Sequence, residues 1–194
     1  MENNDSPTTG SWIAQAASVC VDIDFTILHG GILTYYLDMR IKILHIGKVK
    51  DEFAQIGRKK YLKLLSPYAK VDMIKVKEQP KTASFSVEKI LKVEGEALLQ
   101  RVSKDDYVVA LDERGQQLGS VEFARFLKRH AGVGRVVCFV MGGSFGLDSA
   151  VKERADKLLS LSKMTFTHQM TQVFLMEQLY RGVCIISGKE YHVA

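Results

Sequence analysis

The chain has 194 residues, 46% hydrophobic and 25% charged, the balance of one folded domain or of a domain with an appendage. No apolar run reaches the ~18 residues of a membrane span, because Asp22, Asp24 and His29 interrupt the nearest one. The net charge of +5 splits at Asp38: five acids and no Lys or Arg precede Met39, and all 27 basic residues follow it. Membrane proteins, collagen-like chains, coiled coils and disordered tail proteins are thereby excluded.

Residues 1–38 have neither the basic start of a secretory signal nor the arginines of a transit peptide. They read as an acidic appendage, with Ser18–Leu28 a possible edge strand and Met39 a candidate alternative start. Arg40–Ile46 reads as a buried strand ending at Gly47. Asp51–Leu65 has helical spacing through Phe53, Ile56, Leu62 and Leu65, and stops at Ser66-Pro67. Val71–Val76 is a short strand and Gln79–Ser86 a loop. Val87–Val102 is helical. Tyr107–Leu111 is a buried strand, followed by a polar turn over Asp112–Gly119. Ser120 caps a helix to about Ala131. Arg135–Met141 is the most apolar strand and runs into Gly142-Gly143-Ser144-Phe145-Gly146. A helix follows Asp148, then a strand over Leu158–Leu161. The last helix covers His168–Arg181, with Gln169, Gln172, Glu177 and Gln178 as its polar face, before a final apolar stretch, Val183–Ile186.

Strands that alternate with helices and are apolar on both faces give an α/β fold, a mostly parallel sheet with helices on both faces. Ligands of such sheets sit beyond the carboxyl ends of the strands. Three ends draw notice on that rule: Leu111-Asp112, Met141–Gly146 and Leu161–Phe166. Glycines after a buried strand let backbone amides approach a ligand, although a tight strand-to-helix turn needs them equally. GGSFG is neither a Walker pattern nor GxGxxG.

The basic charge after Met39 suits an anionic partner, nucleic acid above all, or serves solubility alone. Arg58, Lys59, Lys60 and Lys63, then Lys70, Lys75, Lys77 and Lys81, favour the first. Cys20, Cys138 and Cys184 are too far apart for a metal or redox pair and read as free thiols. No metal set, no Ser/His/Asp set and no carboxylate pair can be placed; Asp105-Asp106 and Asp112-Glu113 read as loop charges. Transfer of an already activated group, where positioning supplies much of the rate, fits such a chain better than hydrolysis.

From Met39 onward the chain resembles the RlmH family of SPOUT-type methyltransferases, which methylate N3 of a pseudouridine in large-subunit ribosomal RNA. The matching pieces are Ile43–Lys50, SPYAK ending at Lys70, Glu94-Gly95-Glu96, ALDERG over Ala110–Gly115, FVMGGSFGL over Phe139–Leu147, LSLSKMTFTHQM over Leu159–Met170, EQLYR over Glu177–Arg181, and Tyr191-His192. The resemblance implies residues 39–194 as a methyltransferase domain with a C-terminal trefoil knot, acting as a homodimer. It implies S-adenosylmethionine as cofactor, held by Leu111, Gly142, Leu161, Ser162, Lys163, Met164, Thr165 and Phe166. It places His168, Arg181, Tyr191 and His192 on the substrate side. The implied partner is ribosomal RNA or the assembled ribosome, and the implied setting is the bacterial cytoplasm, or an organelle matrix for a eukaryotic copy. Another RNA substrate, or an RNA-binding protein without turnover, are the alternatives. Thr167 stands where the family usually has Pro, Gln172 where it usually has Arg, and Val193-Ala194 replaces a usual basic ending. Those changes put RNA affinity in question more than cofactor binding.

Overall fold

The computed structural model describes residues 39–191 apart from 83, 84 and 132. The acidic segment 1–38 with Ser18–Leu28 and Cys20, and His192, Val193 and Ala194, lie outside the described residues. Strands β1 (Met39–Ile46), β2 (Ala69–Val76), β3 (Tyr107–Gln117), β4 (Val137–Met141) and β5 (Lys157–Ser160) form one sheet in the order β2-β1-β4-β3-β5. Every pairing is parallel. Helices α1 (Glu52–Leu65), α2 (Val87–Leu99), α3 (Ser120–Ala131), α4 (Ser149–Arg154) and α5 (His168–Ile186) connect and cover it.

Alternate strand residues feed two cores, as the period-two geometry of a strand requires. On one face Met39, Ile41, Ile43, Val109 and Phe139 meet Leu65 of α1, Phe123 and Leu127 of α3, and Leu175, Met176 and Leu179 of α5. On the other, Leu44, Val108, Ala110, Cys138 and Val140 meet Leu98 of α2 and Val151 of α4. Both faces are therefore dry, which is why β4 is apolar at every position. Cys138 and Cys184 are buried free thiols, and burial pushes the Cys138 thiol up to about 12. No described helix is long and apolar enough to cross a membrane.

The structure corrects several expectations. Residues 112–117 are not a free turn: β3 continues to Gln117, and Gln116-Gln117 pair with Leu159-Ser160. The register slips between Leu111 and Gln116, so the residues between them bulge out of the ladder. Ser120 is the first residue of α3, not its cap; Glu122 reaches back to accept the Gly119 N–H at 2.8 Å. The α2 helix ends at Leu99 rather than Val102. The last helix runs on through Ile186, so Val183 and Cys184 are helical core. Phe53 and Ile56 are each 61% exposed, and α1 instead buries Ala54 and Leu65. Gln172 is fully buried, because α5 packs against both α1 and α3 and has little free face. Asp106 lies in the loop before β3 but is buried and paired: it accepts from Lys42 at 2.7 Å and from the Ser103 N–H at 2.8 Å.

Candidate functional site

The carboxyl ends of β3, β4 and β5 lie side by side, as their register dictates. Between them opens a cavity of about 410 Å³. Its walls come from Leu111–Arg114, Met141–Leu147, Lys152, Thr165, Phe166, His168 and Thr171. A smaller hollow of about 80 Å³ adjoins it and is lined by Leu111–Glu113, Leu159–Ser162, Met164, Phe166 and Thr171. All three strand ends singled out by sequence thus meet at one place.

The glycine-rich turn forms one wall. Gly143 and Gly146 bridge each other, and the Gly146 N–H donates to the Gly143 carbonyl at 3.2 Å. Gly146 has φ +88, a left-handed conformation that favours glycine. A Cβ at Gly142 would lie 2.1 Å from the Gly146 carbonyl oxygen. A larger Gly142 side chain therefore collides with the turn itself, so Gly142→Val cannot leave the fold untouched while blocking a ligand. Behind the turn, Glu94 of α2 is buried and accepts the Gln79 N–H at 2.8 Å. Burial raises its carboxyl above the usual range despite that bond.

On the β3 bulge, Asp112 pairs with Lys152 at 2.6 Å and accepts the Arg114 N–H at 2.9 Å. Burial alone would raise this carboxyl, but Lys152 and Arg114 outweigh it and hold it below the usual range. After β5 the loop braces itself: Ser160 donates to the Ser162 carbonyl at 2.7 Å, and the Ser162 hydroxyl accepts the Met164 N–H at 2.9 Å. Thr167 then caps α5, its hydroxyl accepting from Met170 N–H at 3.3 Å, so the Thr in place of Pro supplies a cap. Gln169 clasps the start of α1, accepting the N–H groups of Lys50 at 2.5 Å and Asp51 at 2.9 Å.

Of the residues expected to hold a cofactor, Leu111, Gly142, Thr165 and Phe166 line the larger cavity. Leu161, Ser162 and Met164 line the smaller one, and Lys163 lines neither. His168 joins them on the cavity wall. Arg181 and Tyr191 do not: thirteen residues along α5 put Arg181 about 20 Å from His168. There Arg181 forks onto Glu177 at 2.6 and 3.1 Å and lies 5.0 Å from the Tyr191 ring. Tyr191 packs edge-on against Tyr180 at 4.7 Å. Burial, then the neighbouring Tyr61 hydroxyl, pushes the Tyr191 phenol up, so it acts as a donor rather than a base. His192 lies outside the described residues. Sequence reasoning missed Lys152, and it noticed Asp112 at a strand end but read its carboxylate as a loop charge rather than as the partner of Lys152.

The volume lies in the range of small-molecule sites. Leu111, Met141 and Phe166 offer apolar walls, the turn offers backbone groups, and Asp112 offers a carboxylate. This combination suits an amphipathic small molecule. Fold and site together define a parallel α/β protein with a small-molecule-sized cavity at the carboxyl edge of its sheet.

Comparison with known proteins then makes the family plain. Residues 39–192 match the family model described as a predicted SPOUT methyltransferase. The chain is 44% identical over 160 residues to the ribosomal RNA large subunit methyltransferase H of Symbiobacterium thermophilum, 42% over 156 residues to that of Geotalea daltonii, and 41% over 152 residues to that of Caldicellulosiruptor saccharolyticus. Each alignment covers 78–79% of this chain and 99% of the relative. The chain belongs to the SPOUT methyltransferases and, within them, to the RlmH family. S-adenosylmethionine is the methyl donor of that family, and the cavity's residues fit it.

Proposed function

We propose that this chain is a ribosomal RNA methyltransferase that modifies N3 of a pseudouridine in the large subunit. The observation that carries the reading is the meeting of Leu111, Gly142, Thr165 and Phe166 around one cavity, in a chain alignable along nearly the whole length of its curated relatives. Residues 39–194 form the methyltransferase domain, and a family match beginning at Met39 supports that boundary. Family membership also supports the C-terminal trefoil knot and the homodimer. Phe53 and Ile56 supply exposed apolar surface of the kind that subunit interfaces use. The bacterial origin of the relatives supports a cytoplasmic setting.

Leu111, Gly142 and residues 161–166 would hold the cofactor, which supplies a methyl group activated by a sulfonium. The chain's task is then to orient the acceptor nitrogen, exclude water and let the N3 proton leave. His168, on the cavity wall, is the group placed to face the base. Arg181 and Tyr191 belong to the substrate side as a cation and a phenol donor; lying far along α5, they serve the cavity of a second copy. RNA affinity arises from basic side chains on phosphates and falls steeply with salt. The target is an unstacked loop base, since a duplex hides N3.

The test is transfer of labelled methyl from S-adenosylmethionine to assembled ribosomes, with the product nucleoside identified. Methylated pseudouridine in the large-subunit RNA is expected. Cofactor binding without transfer to any large-subunit RNA would refute the assignment.

A further inference from the structure

A second polar cluster lies beside the cavity. Among the described residues, His45 Nδ1, Arg58 Nε and Gln172 Oε1 are buried without a hydrogen-bond partner. They come from three elements: the end of β1, the middle of α1 and the first turns of α5. His45 is 3% exposed and Gln172 1%. The helices touch beside them, since a Cβ at Gly57 would lie 3.0 Å from Val173 Cγ1. Arg58 and Gln172 are the chain neighbours of the two residues in that contact, and neither satisfies the other. Arg58 makes no ion pair with any described carboxylate. Burial lowers its guanidinium from the ordinary value, and burial followed by Arg58 holds His45 down to about 4. His45 pairs with Met141 in the sheet, and Met141 lines the cavity, so the cluster stands next to the cavity wall.

A half-buried arginine with no ion pair to a described carboxylate favours an anion. We propose that Arg58, beside His45, seats an anionic oxygen at the edge of the cavity: the carboxylate of the cofactor's amino-acid tail, or a phosphate of the substrate RNA. The inference rests on the methyltransferase reading above. It also accounts for Gln172, since the positive charge that the family pattern places on α5 stands here on α1, across the same helix contact.

The experiment compares wild type, Arg58→Gln and the double variant Arg58→Gln/Gln172→Arg. Folding is checked by thermal melts, and binding of S-adenosylhomocysteine and of 5′-methylthioadenosine, which lacks the carboxylate, by calorimetry. If the anion is the carboxylate, Arg58→Gln weakens S-adenosylhomocysteine about tenfold or more and leaves 5′-methylthioadenosine unchanged. If it is a phosphate, both ligands bind as before and KM for RNA rises about tenfold. Either loss is recovered in the double variant. A folded Arg58→Gln with all three quantities unchanged overturns the proposal. So does a loss shared by both ligands and not recovered by Gln172→Arg, which marks a purely structural arginine. The carboxylate arm needs no RNA, so it stands or falls separately from the identity of the methylated nucleoside.

Discussion

His45 shows how one buried side chain ties stability to pH. Burial, then the Arg58 guanidinium, lowers its imidazole from 6.5 to about 4. The unfolded chain therefore takes up a proton that the folded chain refuses. The stability due to a neutral His45 is complete above 6.5 and is lost as pH falls from there toward 4. Between pH 7 and pH 5 this amounts to about 2 kcal/mol. Urea unfolding at the two pH values should show that extra loss in wild type and not in His45→Ala; equal losses would contradict it. Lys42 and Asp106 illustrate the opposite case, a buried charge with its partner at 2.7 Å, where the pair is retained because removing either member strands the other.

Among the elements, the β3–β5 pair matters most to the site, because its bulge carries Asp112 and β5 leads into the 160–166 loop. Gly115 lies against the β5 backbone: a Cβ there would sit 2.6 Å from the Leu159 carbonyl carbon and 2.7 Å from that of Leu158. Gly115→Ala should push β5 away, lower stability by about 1–3 kcal/mol and weaken S-adenosylhomocysteine binding. Urea unfolding with calorimetry checks both, and unchanged values would refute the packing argument. The same pair shows where sequence stopped being legible. The apolar runs at Tyr107–Leu111 and Val137–Met141 announce buried strands on their own, and glycines after them announce the site. Glu113, Arg114, Gln116 and Gln117 look like a turn because their partner strand lies some forty residues away. Phe53, Ile56 and Gln172 mislead for a related reason. Helical spacing reveals a stripe, but how many neighbours a helix has decides what is buried, and α5 has two. Arg181 and Tyr191 were legible as residue types, whereas their separation from the cavity within one chain was not.

For the whole molecule, the proposed homodimer would divide the labour between two copies. The cavity and the Arg181–Tyr191 cluster stand at opposite ends of α5, so in the proposed homodimer one active site would draw on both subunits. Phe166→Asp disables the cofactor side and Arg181→Ala the substrate side; each variant alone should be inactive. Mixed and allowed to exchange, half the dimers carry one intact site, and methyl transfer should return to about a quarter of wild type. Sedimentation checks that the dimers form, and no recovery in exchanged dimers would refute a shared site. The Gln169 clasp on Lys50 and Asp51 acts across the same span of chain. It joins residues 118 and 119 positions apart, so the first helix is not pinned until the last one has been made. On a translating ribosome the amides of Lys50 and Asp51 stay open to exchange until residue 169 has emerged, and the nascent enzyme cannot assemble its site before α5 is out.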